Sequence, residues 1–121
     1  MIRLYNGLVM PMTADCSILP GEVWVDGDRI ALAGSAEGLD APAFEREIDL
    51  RGGLVIPGFK NAHTHSAMTF LRSYADDLPL QSWLFDKVFP LEAKLTPEAV
   101  YAFTRLAALE YLAGGVTASF D

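Results

Sequence analysis

A strand–helix–strand succession in the second half of the chain most constrains its fold. The β-branched apolar run at residues 54–56 predicts a buried strand, and residues 116–120 predict another. Between them, Thr96-Pro97-Glu98 predicts a helix start, since threonine caps, proline suits the first helical position and an acid suits the first turn. Strands joined by a helix in this way lie parallel in one sheet, so the pattern predicts an α/β fold.

The same helix has an apolar face and a clear end. Gly114-Gly115 predicts its termination. Apolar residues at helical spacing predict the face that packs on the sheet: Ala99, Ala102, Phe103, Leu106, Leu109 and Ala113.

The first half of the chain has a different pattern, of short strands and turns. Strands are predicted at residues 2–9, 22–25, 29–33 and 47–51, and Asp26-Gly27-Asp28 predicts a tight hairpin turn. We therefore expect a small antiparallel sheet in residues 1–53, as the N-terminal part of a small β domain.

Two histidines follow the predicted strand at residues 54–56. They are His63 and His65, the only histidines of the chain. Side chains two residues apart in an extended segment point to the same side, so the two imidazoles can share a metal ion. A catalytic zinc takes about three protein ligands and keeps a position for water, so this pair predicts part of a metal site.

The connection between strand and helix is long and predicts an active-site loop. In α/β barrels, the loops that follow the strands form the face that carries the active site. This topology predicts that Asp76, Asp77, Trp83 and Glu92 lie near the histidines. A full barrel has eight strands and typically about 250 residues. We therefore expect an incomplete barrel in these 121 residues, as an N-terminal fragment of a larger enzyme.

Composition excludes several classes of function. The net charge of -7 disfavours nucleic acid as a partner. No apolar run approaches the ~18 residues of a membrane span, and the chain start lacks the pattern of a signal peptide. The single cysteine, Cys16, makes no internal disulfide, which favours a cytoplasmic location. It also excludes the cytidine-type zinc deaminases, which need H-x-E with P-C-x-x-C.

The histidine segment also carries a family resemblance. A strand followed by Pro57-Gly58, Asn61-Ala62 and His63-Thr64-His65 resembles the first metal motif of the amidohydrolase superfamily. Residues 54–121 are similar to the deaminases of 5'-methylthioadenosine and S-adenosylhomocysteine, in the chlorohydrolase-like branch; residues 1–53 resemble only the superfamily's β domain. These segments carry the closer resemblance, in this order: Ala67-Met68-Thr69, Leu71-Arg72, Ala75-Asp76-Asp77-Leu78-Pro79-Leu80, Trp83-Leu84, Phe89-Pro90-Leu91-Glu92-Ala93-Lys94-Leu95-Thr96-Pro97-Glu98 and Gly114-Gly115-Val116-Thr117.

This resemblance implies a fold and a reaction. The fold is a β-sandwich-type domain plus a (β/α)8 TIM barrel, of which residues 54–121 form the truncated start. The reaction is hydrolytic deamination of an adenine nucleoside, the hydrolysis of a C–N bond other than a peptide bond. His63 and His65 would bind Zn²⁺, or alternatively Fe²⁺ or Mn²⁺, while the remaining ligands and a proton-transferring aspartate lie on later strands. We therefore expect the chain alone to be inactive.

Two residues are candidates for substrate binding. Glu92 falls on the family's Pro-Leu-Glu position, where the resemblance implies a contact with the ribose hydroxyls. Trp83 suits either the wall of an adenine or thioether pocket or the packing of a core. Asp76 and Asp77 precede Leu-Pro and predict a turn or a helix cap rather than catalysis.

Two alternatives to an adenine-nucleoside deaminase stay open. One is another amidohydrolase, acting on guanine, a triazine or a cyclic amide. The other is a non-catalytic interaction fragment, in which an exposed apolar helix face binds a partner. For the enzyme, the expected partner is a small-molecule substrate, with neither nucleic acid nor membrane, and the sequence allows a homo-oligomer.

Overall fold

The computed structural model describes residues 1–121 and divides them into two compact units. The first unit is Met1–Pro57 and the second is Gly58–Asp121. The structural division therefore falls after Pro57, whereas the sequence pattern placed it between residues 53 and 54. The difference arises because Leu54 and Val55 pair with a strand of the first unit.

A five-stranded sheet forms the first unit. Its strands are β1 (Ile2–Val9), β2 (Leu19–Asp26), β3 (Arg29–Gly34), β4 (Arg46–Asp49) and β5 (Leu54–Val55). The order is β3-β2-β1-β4, and β5 also pairs with β1. The prediction of a wholly antiparallel sheet is wrong, because β4 and β5 run parallel to β1. The chain crosses from β3 to the far side of β1 before it enters β4, and this crossing reverses the expected direction.

An ion-pair cluster links three strands of this sheet. The guanidinium of Arg3 on β1 donates hydrogen bonds to Glu22 on β2 and to Glu47 on β4, the latter over 3.0 Å. The indole Nε1 of Trp24 donates to Glu22 Oε2 over 2.6 Å. The hydrogen bond from Arg3 is the main reason why the pKa of Glu22 lies below its ordinary value. Because Trp24 is buried, this cluster sits beside the small apolar core of the unit.

The second unit has the predicted strand–helix–strand order. Its strands are β6 (Phe59–Asn61) and β7 (Val116–Ser119), which pair in parallel. The helical pieces between them are a 3-10 helix (Ser66–Leu71), α1 (Leu80–Ser82), a π-helical segment (Trp83–Val88), α2 (Phe89–Glu92) and α3 (Pro97–Ala113). No helix has the length and apolarity that crossing a membrane requires.

The first strand of this unit lies further along the chain than the sequence pattern predicts. The predicted strand at residues 54–56 pairs with β1 instead, as β5, and Leu54 and Ile56 are partly exposed rather than buried. Pro57 and Gly58 separate β5 from β6, so the strand that pairs with β7 starts at Phe59. Gly58 also lies so close to Thr117 that a Cβ at Gly58 would overlap the threonine side chain.

Helix α3 begins as predicted but buries only part of the predicted face. Thr96 Oγ1 accepts a hydrogen bond from the Ala99 amide over 3.3 Å, and Pro97 is the first helical residue. The helix packs chiefly on the 3-10 helix. The contacts with the 3-10 helix involve Phe103 and Tyr111. The less exposed residues of α3 are Ala99, Phe103, Thr104, Ala107 and Tyr111.

Four residues predicted for the buried face are exposed instead: Ala102, Leu106, Leu109 and Ala113. Because apolar side chains surround most of α3, helical spacing alone fits more than one face. The contact with the 3-10 helix selects the face, as shown by Phe103, whose ring stacks on Phe70 with 5.0 Å between centroids.

Candidate metal centre

The two histidines lie directly beyond the end of β6. Asn61, the last residue of β6, turns the chain there, because its Oδ1 accepts a hydrogen bond from the His63 amide over 3.1 Å. The two imidazole centroids are 5.3 Å apart and the ring planes are nearly perpendicular, at 89°. Both side chains are exposed. The turn at Asn61 therefore brings both imidazoles together at the carboxyl end of a parallel strand.

The separation of the rings fits a shared metal ion. Zinc lies about 2.0–2.1 Å from a ligating imidazole nitrogen, hence about 3 Å from the ring centre, and a tetrahedral angle then sets two such centres about 5 Å apart. The observed 5.3 Å between His63 and His65 agrees with that value. No group of three or more histidine, cysteine, aspartate or glutamate side chains is close enough to hold a metal. The donor set is therefore a pair, short of the about three ligands of a catalytic zinc.

A cluster of three hydroxyl groups lies beside the histidines. We call Thr64, Ser66 and Tyr111 the hydroxyl cluster. The phenolic oxygen of Tyr111 bonds Thr64 Oγ1 and lies 2.9 Å from Ser66 Oγ, while the threonine and serine oxygens are 3.3 Å apart. Ser66 is buried, with 4 % of its surface exposed. The segment of residues 63–66 thus alternates between exposed imidazoles and covered hydroxyls.

Asp121 holds the same segment from the strand side. Both of its carboxylate oxygens lie 3.1 Å from the Ser66 amide, which donates to them. Ser66 is the first residue of the 3-10 helix, where an unpaired amide attracts a carboxylate. Sequence patterns assigned no role to Asp121 or Tyr111, because the contacts of both join residues far apart in sequence.

A cavity of about 340 Å³ adjoins the second histidine. Its lining includes His65, Trp83 and Tyr111. On its rim, the Arg72 guanidinium donates to the Glu110 carboxylate over 2.7 and 2.9 Å, and this pair lowers the pKa of Glu110. The structure therefore places an indole, an imidazole and a phenol around one space.

The three predicted acidic neighbours do not line this cavity. Asp76 and Asp77 are exposed in the loop before α1, and Asp77 has a left-handed φ of 63°, as a turn requires. Glu92 ends α2 and is half-buried. The ribose contact of Glu92 therefore stays a prediction.

Known proteins resemble this chain over nearly its whole length. Residues 54–121 match the amidohydrolase family. The 5-methylthioadenosine/S-adenosylhomocysteine deaminase of Symbiobacterium thermophilum is 45 % identical over 117 residues, covering 96 % of this chain and 27 % of the relative. The enzyme of that name from Syntrophomonas wolfei subsp. wolfei is 55 % identical over 121 residues, covering 99 % and 28 %.

A solved structure gives the same picture. The crystal structure of an adenosine deaminase from Xanthomonas campestris, with bound zinc, superposes with a TM-score of 0.90 at 35 % identity. The superposition covers 99 % of this chain and 28 % of the other. The chain thus spans little more than a quarter of the length of the proteins it matches.

The fold and the relatives together define a hydrolytic enzyme class. A small β domain followed by the first βαβ portion of a (β/α)8 barrel is an arrangement that this chain shares with the zinc-bound deaminase structure. The chain belongs to the amidohydrolase family, whose match covers more than half of its residues. It contains two parallel strands of the eight that close such a barrel.

Proposed function

We propose that this chain provides the first metal-binding segment of a zinc-dependent enzyme that deaminates an adenine nucleoside. The observation that carries the proposal is the pair of imidazoles, His63 and His65, 5.3 Å apart at the end of a parallel strand. The names of the relatives support the substrate class, since those proteins are deaminases of adenosine or of its 5'-thio derivatives. We propose Zn²⁺ as the metal, with Fe²⁺ and Mn²⁺ as alternatives.

In this proposal the two histidines hold the metal and the residues around them shape its surroundings. A bound divalent ion supplies Lewis acidity and lowers the pKa of water toward about 7. The exposed imidazoles of His63 and His65 supply two of the ligands. The chain has no other histidine, and no carboxylate or cysteine joins the pair to make a set of three. In the proposed enzyme, further ligands and the group that moves protons therefore come from other residues. We therefore expect no turnover by the chain alone.

Trp83 forms one wall of the proposed substrate pocket. Its indole lines the cavity that His65 also lines, and a large flat ring suits an adenine or a thioether. The cavity of about 340 Å³ lies within the range of small-molecule sites. The shared lining of Trp83 and His65 is the support for this assignment.

Glu92 binds the ribose hydroxyls in the proposed enzyme. A carboxylate accepts hydrogen bonds from two neighbouring hydroxyls, and charged acceptors make the stronger bonds. Glu92 ends α2 and keeps part of its surface exposed, so its carboxylate is free to contact a ligand. This role is specific to nucleosides, because free bases lack the ribose.

The partner of this enzyme is a small-molecule nucleoside, and we propose a cytoplasmic location. The lone cysteine, Cys16, is free and exposed, as is common where thiols stay reduced. The acidic net charge of -7 supports a small ligand over a nucleic acid.

A chimera tests the proposed function. Residues 1–121 would replace the matching 28 % of the Syntrophomonas wolfei relative, to which they are 55 % identical. We expect the zinc-loaded chimera to release ammonia from 5'-methylthioadenosine, and His63→Ala or His65→Ala to abolish release. The matched control is Glu37→Ala, an exposed residue of the first unit between β3 and β4.

A substitution of Glu92 distinguishes nucleoside substrates from free bases. In the chimera, Glu92→Ala should weaken binding of adenine nucleosides far more than binding of free bases, while equal losses would contradict the ribose contact. A folded chimera that hydrolyses guanine or a triazine but no adenine nucleoside would overturn the substrate class. A folded chimera that keeps full activity without His63 and His65 would overturn the proposed function.

A further inference from the structure

We propose that Tyr111 is a positioning residue for the metal ligands, through the hydroxyl cluster that it forms with Thr64 and Ser66. This inference rests on the proposed metal-binding role of the two histidines. Tyr111 touches neither histidine through its hydrogen bonds; it holds the residues on both sides of His65.

Alternation along the segment places the cluster on the side away from the ligands. His63 and His65 are exposed, Thr64 is half-buried and Ser66 is buried. Thr64 and Ser66 direct their hydroxyls toward Tyr111, to which neither imidazole is hydrogen-bonded. Contacts made by Thr64 and Ser66 therefore orient the imidazoles without covering them.

The tyrosine hydroxyl is suited to hold two neighbours at once. A phenol both donates and accepts a hydrogen bond, as do the hydroxyls of threonine and serine. Tyr111 OH bonds Thr64 Oγ1 and lies 2.9 Å from Ser66 Oγ. Three mutually bonded hydroxyls satisfy one another in a place where Ser66 is shielded from water.

Tyr111 is held in place by the helix on which it lies. It lies in the last turn of α3, a helix of 17 residues. Ala107, one turn earlier on the same face, is 2 % exposed and fixes that face against its surroundings. The hydroxyl cluster therefore ties a segment beyond β6 to the helix that follows it in the chain.

Loss of the Tyr111 hydroxyl is expected to lower the affinity of the site for zinc. Partners that orient metal ligands typically contribute about 10–100-fold to metal affinity. Tyr111 acts one residue removed from the ligands, and the Asp121 carboxylate still holds the Ser66 amide in its absence. We therefore expect Tyr111→Phe to weaken zinc binding by about tenfold, at the low end of that range.

Calorimetric titration of the 121-residue chain with Zn²⁺ tests the proposal. Tyr111→Phe removes one oxygen and keeps the ring. The matched control is Tyr101→Phe on the same helix, whose side chain is 66 % exposed and outside the cluster. We expect the control to bind zinc as the wild type does. Thermal unfolding of each metal-free variant separates affinity from stability.

Two further variants keep the test decisive if Tyr111→Phe does not fold. Thr64→Val and Ser66→Ala each remove one hydroxyl partner of the tyrosine. We expect each substitution to weaken zinc binding. In a Tyr111→Phe background, each should cause a smaller further loss of zinc affinity than it causes in the wild type, because the cluster acts as a unit.

The outcomes separate this inference from the proposed function. Unchanged zinc affinity in Tyr111→Phe, with or without a lower melting temperature, would overturn the positioning role and leave the histidine site standing. Failure of the wild-type chain to bind zinc, or equal affinity after His63→Ala and His65→Ala, would overturn the metal site and the inference with it.

Discussion

At the residue scale, four consecutive residues alternate between exposed side chains and side chains that bond the helix. In residues 63–66 the imidazoles of His63 and His65 face solvent, whereas Thr64 and Ser66 bond Tyr111. Asn61 turns the chain so that this alternation begins directly after β6. We therefore expect a change of one residue in this segment to act either on the proposed metal ligands or on the contacts that hold the segment.

Gly58 shows how closely the backbone is packed just before the site. We expect Gly58→Ala to lower the free energy of unfolding by about 1–3 kcal/mol, because the new methyl group overlaps the side chain of Thr117 on the neighbouring strand. Urea unfolding of the chain measures the loss. In a Thr117→Gly background the same substitution should cost less; an equal cost in both backgrounds would contradict this explanation.

The sequence predicted the histidine pair but not the residues that hold its segment in place. The histidine pair was evident because period-two spacing is a local signal. The roles of Tyr111 and Asp121 depend on tertiary contacts across 45 and 55 residues, and no local pattern encodes them. The ribose contact of Glu92 was inferred from the family resemblance, and Glu92 does not line the cavity beside His65.

At the scale of elements, α3 was the most predictable part of the fold. Threonine, proline and glycine mark its two ends, and these signals depend only on neighbouring residues. Its packing face was less predictable, since apolar residues surround it. The strand at residues 54–56 was assigned to the wrong sheet, because an apolar run does not say which partner it will pair with.

The N-cap of α3 provides a test at this scale. We expect Thr96→Ala to lower the free energy of unfolding by about 1 kcal/mol, because the Ala99 amide loses its hydrogen bond to the threonine hydroxyl. Thr96→Ser keeps a capping oxygen and should cost much less. Urea unfolding compares the two; similar losses for alanine and serine would show that the cap does not stabilise the helix.

At the scale of the whole molecule, the chain forms two compact units of different architecture. The first unit is a mixed sheet with a small core, and its strands are joined by the cluster of Arg3, Glu22 and Glu47. The second contains the histidine pair and the cavity of about 340 Å³. The fold class was predicted from sequence because strand–helix–strand order implies parallel pairing.

Acid should destabilise the first unit through Glu22. Its pKa is lowered in the folded chain, mainly by the hydrogen bond from Arg3, so the unfolded chain binds the proton more tightly. The stabilisation is therefore present above the ordinary glutamate pKa and is lost as the pH falls through the lower folded value. We expect Glu22→Gln to be less stable at pH 7 and to lose less stability on acidification.

Fluorescence measures this effect in the first unit alone. The chain has two tryptophans, and Trp83→Phe leaves Trp24, which bonds Glu22, as the only reporter. The control is Glu37→Gln, at an exposed position outside the cluster. Identical pH dependence of unfolding with and without Glu22 would contradict the linkage.

The most direct test of the metal site is a zinc titration of the chain followed by imidazole NMR signals. His63 and His65 are the only histidines, so every imidazole signal belongs to the proposed site. We expect both sets of signals to shift together and to saturate at one zinc ion per chain, and removal of either histidine to weaken binding by more than about tenfold. Imidazole signals that stay unchanged while zinc is added, or that move independently, would contradict a shared metal ion.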